Sequence, residues 1–261
     1  NCVDPNEKQF YHNPEESDRI RVGWLGGSSH LADLEILRGT VDKLISLKDK
    51  MQFVLCGFDT RGSITQMNPQ TGEEMTRKIK PKESVWYEYE KIFTGNYKTV
   101  DKDQMFQLMQ FKFGEEFGDS NTPYRRVWTK PITTYASNYN KFDISLAPLK
   151  HHTFNRVKSQ LKVIEAGFHK KALIAQNFGP YQIDCVNAYE RGGTFNNKGN
   201  SLLVDASRNH KQWAQHIKRL ITNPSLIEDL GERLYESVQK YHIDRVTEER
   251  AELYKQIIKS H

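Results

Sequence analysis

Short apolar runs alternate with helix-like patterns along most of the chain. Residues 19–25 alternate charged and apolar positions and run into a pair of glycines, which is typical of a strand that enters a turn. A second apolar run, 51–57, also ends in glycine. Between them, apolar residues recur mostly at helical spacing from Leu34 to Leu47, which predicts an amphipathic helix. A strand, a glycine loop, a helix and a strand in this order predict a parallel βαβ unit.

The same alternation returns after residue 130. Three further apolar runs have the length of buried strands, at 142–149, 172–175 and 201–204. Helical patterns separate them and fill the tail, at 131–140, 159–166, 213–221, 226–241 and 246–258. Gly167 is placed just beyond the end of its helix, at the C′ position. This order predicts an α/β fold, a Rossmann-like doubly wound parallel sheet in a single domain.

The stretch 58–130 interrupts the alternation, and we interpret it as an insertion or a lid. Residues 60–82 are polar and turn-rich, which predicts no core strand. Residues 85–93 are aromatic and amphipathic, and 97–100 favour a short strand. Residues 111–130 mix aromatic with basic residues, Phe111 and Phe113 among them.

Composition and charge exclude several classes of protein. The 261 residues are 37% hydrophobic and 11% aromatic, which is enough for a core and disfavours disorder. No run approaches the roughly 20 apolar residues of a membrane span. The net charge of +5 suits a phosphorylated ligand or an anionic membrane surface, but it lacks the clustering of a nucleic-acid binder. Scattered Cys2, Cys56 and Cys185 favour a reducing compartment and argue against a structural zinc site.

The glycine loop 26–30 follows the first strand, where a doubly wound sheet binds its ligands. Glycine lets a ligand approach the backbone closely, and free N–H groups at the start of a helix favour an anion. The loop matches neither the dinucleotide fingerprint nor the NTPase loop. A tight turn capped by Ser28 or Ser29 explains the same residues equally well.

The segment 154–167 carries most of the candidate chemistry. On a helix, Lys158, Lys162 and Glu165 stand at i, i+4 and i+7, within roughly 60° of one another around the axis. Two cations beside free helix N–H groups suit a diphosphate, and a carboxylate farther along suits the two hydroxyls of a ribose. A solvated face with an ordinary Lys162–Glu165 ion pair accounts for the spacing as well.

Several motifs, taken in their order along the chain, resemble glycosyltransferase family 4, also called group 1. They are Gly-Trp-Leu-Gly-Gly-Ser at 23–28, the strand 142–149, Phe-Asn-x-x-Lys-Ser-x-Leu-Lys-x-x-Glu at 154–165, Gly-Pro-Tyr at 179–181 and the segment 199–204. The resemblance extends from about residue 20 to residue 245, with a gap over 58–130. It implies the C-terminal, donor-binding domain of a two-domain B-type glycosyltransferase fold.

The resemblance implies a glycosyltransferase of hexosyltransferase type that moves a sugar from a nucleotide-sugar to an acceptor hydroxyl, with retention, in glycan or polysaccharide synthesis. It implies no cofactor and no metal, and it names no catalytic residue. It assigns the donor diphosphate to Gly27, Ser28, Lys158, Ser159 and Gln160. Glu165 would bind the ribose, as the second glutamate of the E-x7-E motif. Candidate contacts to the sugar or a phosphate are Asn155, Lys162 and His151, although an ordinary loop position explains His151 as well.

One position departs from the family pattern. The first glutamate of the motif falls on Val157, which puts the contact to the sugar in doubt. This departure favours an alternative from another class, a non-catalytic Rossmann-like module that binds a nucleotide or a sugar phosphate. The ordered series of motifs disfavours that alternative.

The resemblance also divides the chain. Residues 1–18 are expected to be a linker, 19–243 the nucleotide-sugar-binding domain, and 244–261 a helix that packs toward an N-terminal acceptor domain. Because the chain begins without methionine, we expect a fragment that lacks this domain and is inactive without it. The expected partners are the nucleotide-sugar, a glycan or lipid-linked acceptor and the acceptor domain, with no nucleic acid. The expected location is the cytoplasm or the inner face of the membrane.

Overall fold

The computed structural model describes residues 1–59, 61–109, 116–189 and 193–260. The described residues form eight strands: β1 (Ile20–Leu25), β2 (Met51–Phe58), β3 (Ser63–Met67), β4 (Glu74–Lys78), β5 (Tyr124–Trp128), β6 (Ile144–Ala147), β7 (Ala172–Gln176) and β8 (Leu202–Val204). They also form eight α-helices: α1 (Leu31–Leu34), α2 (Val85–Thr94), α3 (Lys102–Met109), α4 (Thr153–Arg156), α5 (Leu161–Phe168), α6 (Asn209–Thr222), α7 (Ser225–Val238) and α8 (Ile243–Lys259).

Six of the strands form one parallel sheet in the order β5-β2-β1-β6-β7-β8. Counted along the chain, this is the 3-2-1-4-5-6 order of the doubly wound fold, and it reverses between β1 and β6. Val22 of β1 faces Phe53 of β2 on one side and Ile144 of β6 on the other. The predicted fold class is therefore confirmed.

Apolar layers cover both faces of the sheet. On one face, Trp24 and its neighbours pack with α2 and α6, whose largest contributions are Trp86 and Trp213. On the other face, α5 and α7 pack against the alternate strand residues, such as Val54. Strands buried on both faces carry continuous apolar runs, which explains why the sequence pattern showed them so clearly.

The stretch 58–130 differs from the predicted insertion. Its last part is β5, the edge strand of the central sheet, and α2 connects β2 to it, so these elements form a second βαβ unit. The inserted part is an exposed antiparallel hairpin of β3 and β4. Residues 97–100 form turns instead of a strand, since Asn96 and Tyr97 have φ of 55° and 65°. Phe111 and Phe113 lie outside the described residues.

Two predicted helices also differ in detail. The segment 34–47 is a series of short helical turns, because Gly39 adopts φ of 83° and breaks the continuity, yet Leu34, Leu37, Val41 and Leu44 are buried as expected. The predicted helix 131–140 is a 3-10 helix, Tyr135–Lys141.

Gly167 lies within α5 and not beyond it. A Cβ there would come within 2.6 Å of Val238, so glycine is needed for α5 to approach α7.

The N-terminal segment of the chain meets the start of α8. Val3 is buried and exchanges backbone hydrogen bonds with Tyr241 and Ile243, at the start of α8. The seventeen residues of α8 include no buried side chain, and its apolar residues Leu253 and Ile258 are exposed. Within the described ranges, no helix combines the length and apolarity needed to cross a bilayer.

Candidate functional site

A cavity of about 980 Å³ opens where β1 and β6 end, at the reversal of strand order. Doubly wound sheets bind ligands at this place, because the loops after the two strands diverge there. The segments after β1, β2, β5 and β6 all contribute to its walls. Lining residues used below are Gly27, Ser28, Asp33, Lys130, Tyr135, Asn138, Lys158, Ser159, Lys162 and Glu165.

Tyr89 of α2 holds the glycine loop after β1 through two hydrogen bonds. The Tyr89 hydroxyl accepts the His30 N–H at 2.9 Å and donates to the Gly27 carbonyl at 3.3 Å. Burial raises the pKa of Tyr89 to about 12, so the hydroxyl keeps its proton. Open space lies beside the Gly27 Cα, and Ser28 is exposed, so the backbone of this loop is accessible to a ligand. The N-cap positions of these helical turns are Gly27 and His30, so the tight turn is present but neither Ser28 nor Ser29 caps it.

Asp33 connects the loop after β1 to the loop after β6. Its Oδ1 accepts the Lys150 N–H at 2.9 Å and the Asn155 amide at 2.8 Å, while Oδ2 lies 3.0 Å from His30 Nδ1 and 3.6 Å from Lys158 Nζ. Burial alone would raise the pKa of Asp33, but the hydrogen bonds from His30 and the Lys150 backbone outweigh it and lower that pKa. A charged Asp33 therefore fixes the two loops that flank the cavity.

Glu165 is a buried carboxylate held by two tyrosines. It accepts one hydrogen bond from the Tyr135 hydroxyl and another from the Tyr139 hydroxyl, at 3.1 Å. Burial raises the pKa of Glu165, and the two hydroxyls and Lys162 only partly oppose this effect. Because Glu165 is only 4% exposed, the solvated-face alternative is wrong.

Lys162 lies in the cavity wall next to β1. Its ammonium donates to the Leu25 carbonyl and stands 5.1 Å from the centre of the Trp24 ring. The pKa of Lys162 is lowered, because the effect of burial outweighs the opposing charges of Glu165 and Asp33. The side chain thus adds positive charge where β1 ends.

Lys158 and Ser159 also line the cavity, from the turn before α5. The predicted helical spacing is wrong for Lys158, because α5 begins only at Leu161. The structure therefore brings six of the nine candidate residues to one cavity: Gly27, Ser28, Lys158, Ser159, Lys162 and Glu165.

Three candidates lie elsewhere. Asn155 is buried between Asp33 and the Lys150 carbonyl, so its amide supports the loops. The Gln160 side chain donates to Tyr241 at 2.8 Å, and neither it nor His151 is among the lining residues. His151 stacks on Phe178 with ring centres 4.0 Å apart.

Several residues of the site were not predicted from the sequence. Tyr135, Asn138 and Tyr139 come from the 3-10 helix before β6, which the sequence indicated only as a helical stretch. Asn138 and Tyr139 are buried, and Tyr135 is partly buried. A 3-10 helix has about three residues per turn, which places Tyr135 and Asn138 on the same side.

No protein-family model and no curated protein matches this sequence. Solved structures do match it. HepE from Anabaena, in complex with UDP-glucose, is 12% identical with a TM-score of 0.56, over 92% of this chain and 49% of that chain. A glycosyltransferase from Rickettsia africae is 14% identical with a TM-score of 0.56, over 94% and 50%. The trehalose-6-phosphate synthase OtsA is 12% identical with a TM-score of 0.56, over 98% and 50%.

This chain shares the fold of these proteins. The expected likeness to a B-type glycosyltransferase is confirmed at the level of the fold. The chain spans about half the length of the solved structures it matches.

Proposed function

We propose that this chain binds the nucleotide-sugar donor of a glycosyltransferase that transfers the sugar, with retention, to an acceptor hydroxyl. The observation that carries the proposal is the single cavity that collects the glycine loop, Lys158, Ser159 and Glu165 at the reversal of strand order. The structure of HepE, which shares this fold, contains UDP-glucose. We therefore propose a sugar linked to uridine diphosphate as the donor for this chain.

The diphosphate is assigned to the β1 and β6 loops. The backbone of Gly27 and Ser28 is accessible on one side, and Lys158 and Ser159 stand on the other. Lys158 is only loosely paired, 3.6 Å from Asp33, so its ammonium is available to a phosphate oxygen. Negative charge develops on the departing nucleoside diphosphate, and N–H and ammonium groups already in place stabilise it.

The ribose is assigned to Glu165. Each carboxylate oxygen can accept more than one hydrogen bond. Tyr135 donates one to Oε1 of Glu165 and Tyr139 donates one to Oε2, so both oxygens can still accept from a ligand. A ribose hydroxyl would share or replace the contact of Tyr135, which is the less buried of the two tyrosines. The nucleotide then binds with its ribose fixed beside the diphosphate loops.

Calorimetric titration of the chain with UDP, GDP, ADP and their glucose conjugates tests the proposal. We expect saturable binding of UDP at the cavity, weakened when Glu165 or Lys158 is replaced by alanine. If none of these ligands binds, both the donor-binding function and the nucleotide module below are wrong.

The wider assignments are part of the same proposal. The acceptor is a glycan or a lipid-linked sugar in polysaccharide synthesis, and the enzyme is of hexosyltransferase type, of family 4. The exposed apolar side of α8 packs on an N-terminal acceptor domain, without which transfer does not occur. We place the protein in the cytoplasm or peripherally at the inner face of the membrane. We propose that no metal is required, so transfer by the longer protein should be unchanged by EDTA.

A second candidate function is a non-catalytic module that binds a nucleotide or a sugar phosphate. The observation that favours it is Val157, a 79% exposed apolar residue where the family motif has a glutamate. A valine side chain accepts no hydrogen bond from a sugar hydroxyl. Tight binding of UDP without any transfer by the longer protein, over a panel of acceptors, would favour this module over the enzyme.

A further inference from the structure

Asn138 is a buried polar side chain, and neither end of its amide has a hydrogen-bond partner. Nδ2 and Oδ1 both lack one among the described residues, and the residue has 0% exposure. Most buried polar side-chain atoms are paired, so each exception needs a physical reason. Its neighbours are paired: Tyr139 donates to Glu165, and the Asn140 amide donates to the Tyr11 carbonyl.

Asn138 lines the same cavity as the diphosphate loops. Those loops follow β1 and β6 in the middle of the sheet, whereas Lys130 and Asn138 come from the segment after the edge strand β5. Tyr135 and Tyr139, which flank Asn138 on its 3-10 helix, contact Glu165. A nucleotide with its diphosphate at the central loops and its ribose at Glu165 therefore directs its base toward Asn138.

Resting on the proposed function with a uridine nucleotide as ligand, we propose that Asn138 reads the base by pairing with the imide edge of uracil. An asparagine amide presents one donor and one acceptor side by side. Its Nδ2–H donates to a uracil carbonyl oxygen, and its Oδ1 accepts the N3–H of the ring. The ligand supplies the two partners that the protein does not, and a site built this way rejects a base that lacks them.

A double-mutant cycle tests the pairing. The affinities of UDP and of UDP methylated at N3, which has lost the N3–H, are measured by calorimetry on the native chain and on Asn138→Ala. The native chain is expected to prefer UDP by at least about tenfold, as for one bidentate base contact. Asn138→Ala should bind UDP about tenfold more weakly and bind the two ligands within about threefold of each other.

Stability without ligand separates base reading from a structural role. Because the amide has no partner to lose, Asn138→Leu, which keeps the branching and the number of side-chain heavy atoms, should unfold at the same temperature as the native chain or higher. The matched control is Asn140→Leu, on the same 3-10 helix but paired with Tyr11 and not lining the cavity. It should leave the preference for UDP over its methylated form unchanged.

The outcomes that overturn the proposal are distinct. If the native chain binds no nucleoside diphosphate, the proposed function itself is wrong. If it binds UDP but accepts the methylated form equally, or keeps its preference in Asn138→Ala, Asn138 does not read the base and the proposed function stands. Binding of GDP or ADP but not of UDP would likewise mean that Asn138 does not read uracil. A lower unfolding temperature of Asn138→Leu than of Asn140→Leu, with an unchanged preference, shows a structural amide.

Discussion

Two carboxylates of the site, Asp33 and Glu165, have opposite electrostatic surroundings. Asp33 accepts N–H groups from the backbone of Lys150 and the amide of Asn155, and its pKa is lowered. Glu165 accepts only tyrosine hydroxyls, and burial raises its pKa. Asp33 therefore has a structural role between the two loops, whereas Glu165 can still accept hydrogen bonds from a ligand.

Replacing Glu165 by alanine should weaken UDP binding by about 1–3 kcal/mol, because the ribose loses hydrogen bonds to a charged acceptor. Calorimetry on the purified variant measures the change. The control is Glu236→Ala, on the exposed side of α7, for which the affinity should not change. An unchanged affinity in Glu165→Ala would mean that the ribose lies elsewhere.

Only part of the site is predictable residue by residue. Lys158, Lys162 and Glu165 fall within eight residues of sequence, so their proximity follows from local chain geometry. Tyr135 and Tyr139 reach Glu165 only through packing of the segment before β6 against α5, which no local pattern encodes. For the same reason, the sequence could not show that the Asn155 amide donates its hydrogen bond to Asp33 and the Gln160 amide donates to Tyr241.

At the scale of elements, the position of α5 depends on its contact with α7. Gly167→Ala would place a Cβ 2.6 Å from Val238 Cγ2, and relief of this contact requires the helices to separate. Overpacking of this kind costs about 1–3 kcal/mol of the free energy of unfolding. Chemical denaturation should show this loss, and it should be smaller when Gly167→Ala is made in a Val238→Ala background. Equal costs in both backgrounds would contradict the steric account.

The turn between α5 and β7 makes stability depend on pH. His169 is buried between the rings of Tyr139 and Phe10, and burial, followed by the Lys171 charge, lowers its pKa to about 3. The unfolded chain protonates this histidine near pH 6.5. The stability that comes from the neutral ring is thus complete above pH 6.5 and is lost as the pH falls toward 3.

His169→Leu should therefore flatten the fall in the free energy of unfolding between pH 6 and pH 4, by up to about 1.4 kcal/mol per pH unit. Denaturant titrations at several pH values measure the slope. The exposed His210 of α6 supplies the control, His210→Leu, whose slope should match that of the native chain. A native slope in His169→Leu as well would assign the acid sensitivity to other groups, such as the buried His216.

Elements were predictable where both faces of a strand are apolar. β2, β6 and β7 carry nearly continuous apolar runs, and β1 alternates charged with apolar residues before a glycine pair, so all four could be placed from the pattern alone. β5 could not, because Arg125 and Arg126 interrupt it. Arg126 is nevertheless buried, with its Nε 3.5 Å from Glu90 of α2, and this ion pair between distant segments leaves no trace in a local pattern.

At the scale of the whole molecule, α8 contributes no buried side chain to the described part of the chain. Leu253, Tyr254, Ile257 and Ile258 are exposed on it, and none of its residues is buried. The double substitution Leu253→Lys and Ile257→Lys should therefore change the free energy of unfolding of this chain by no more than about 0.5 kcal/mol.

In a chain extended by the proposed acceptor domain, the same double substitution should lower the unfolding temperature, because that domain loses its apolar contact. Calorimetric scans of both chain lengths make the comparison. The matched control is Glu248→Lys with Glu252→Lys, which changes charge on α8 without touching these apolar residues. A large loss of stability already in the present chain would mean that α8 belongs to this domain.

The Tyr89 hydroxyl, which joins the His30 N–H to the Gly27 carbonyl, has a consequence for the speed of recognition. Because the loop is already held by two hydrogen bonds, it loses little conformational entropy when an anion binds. Encounter with the proposed ligand then needs no slow rearrangement of this segment, and association is governed by diffusion into the cleft. The rate at which the proposed nucleotide is released, in contrast, reflects contacts made after entry.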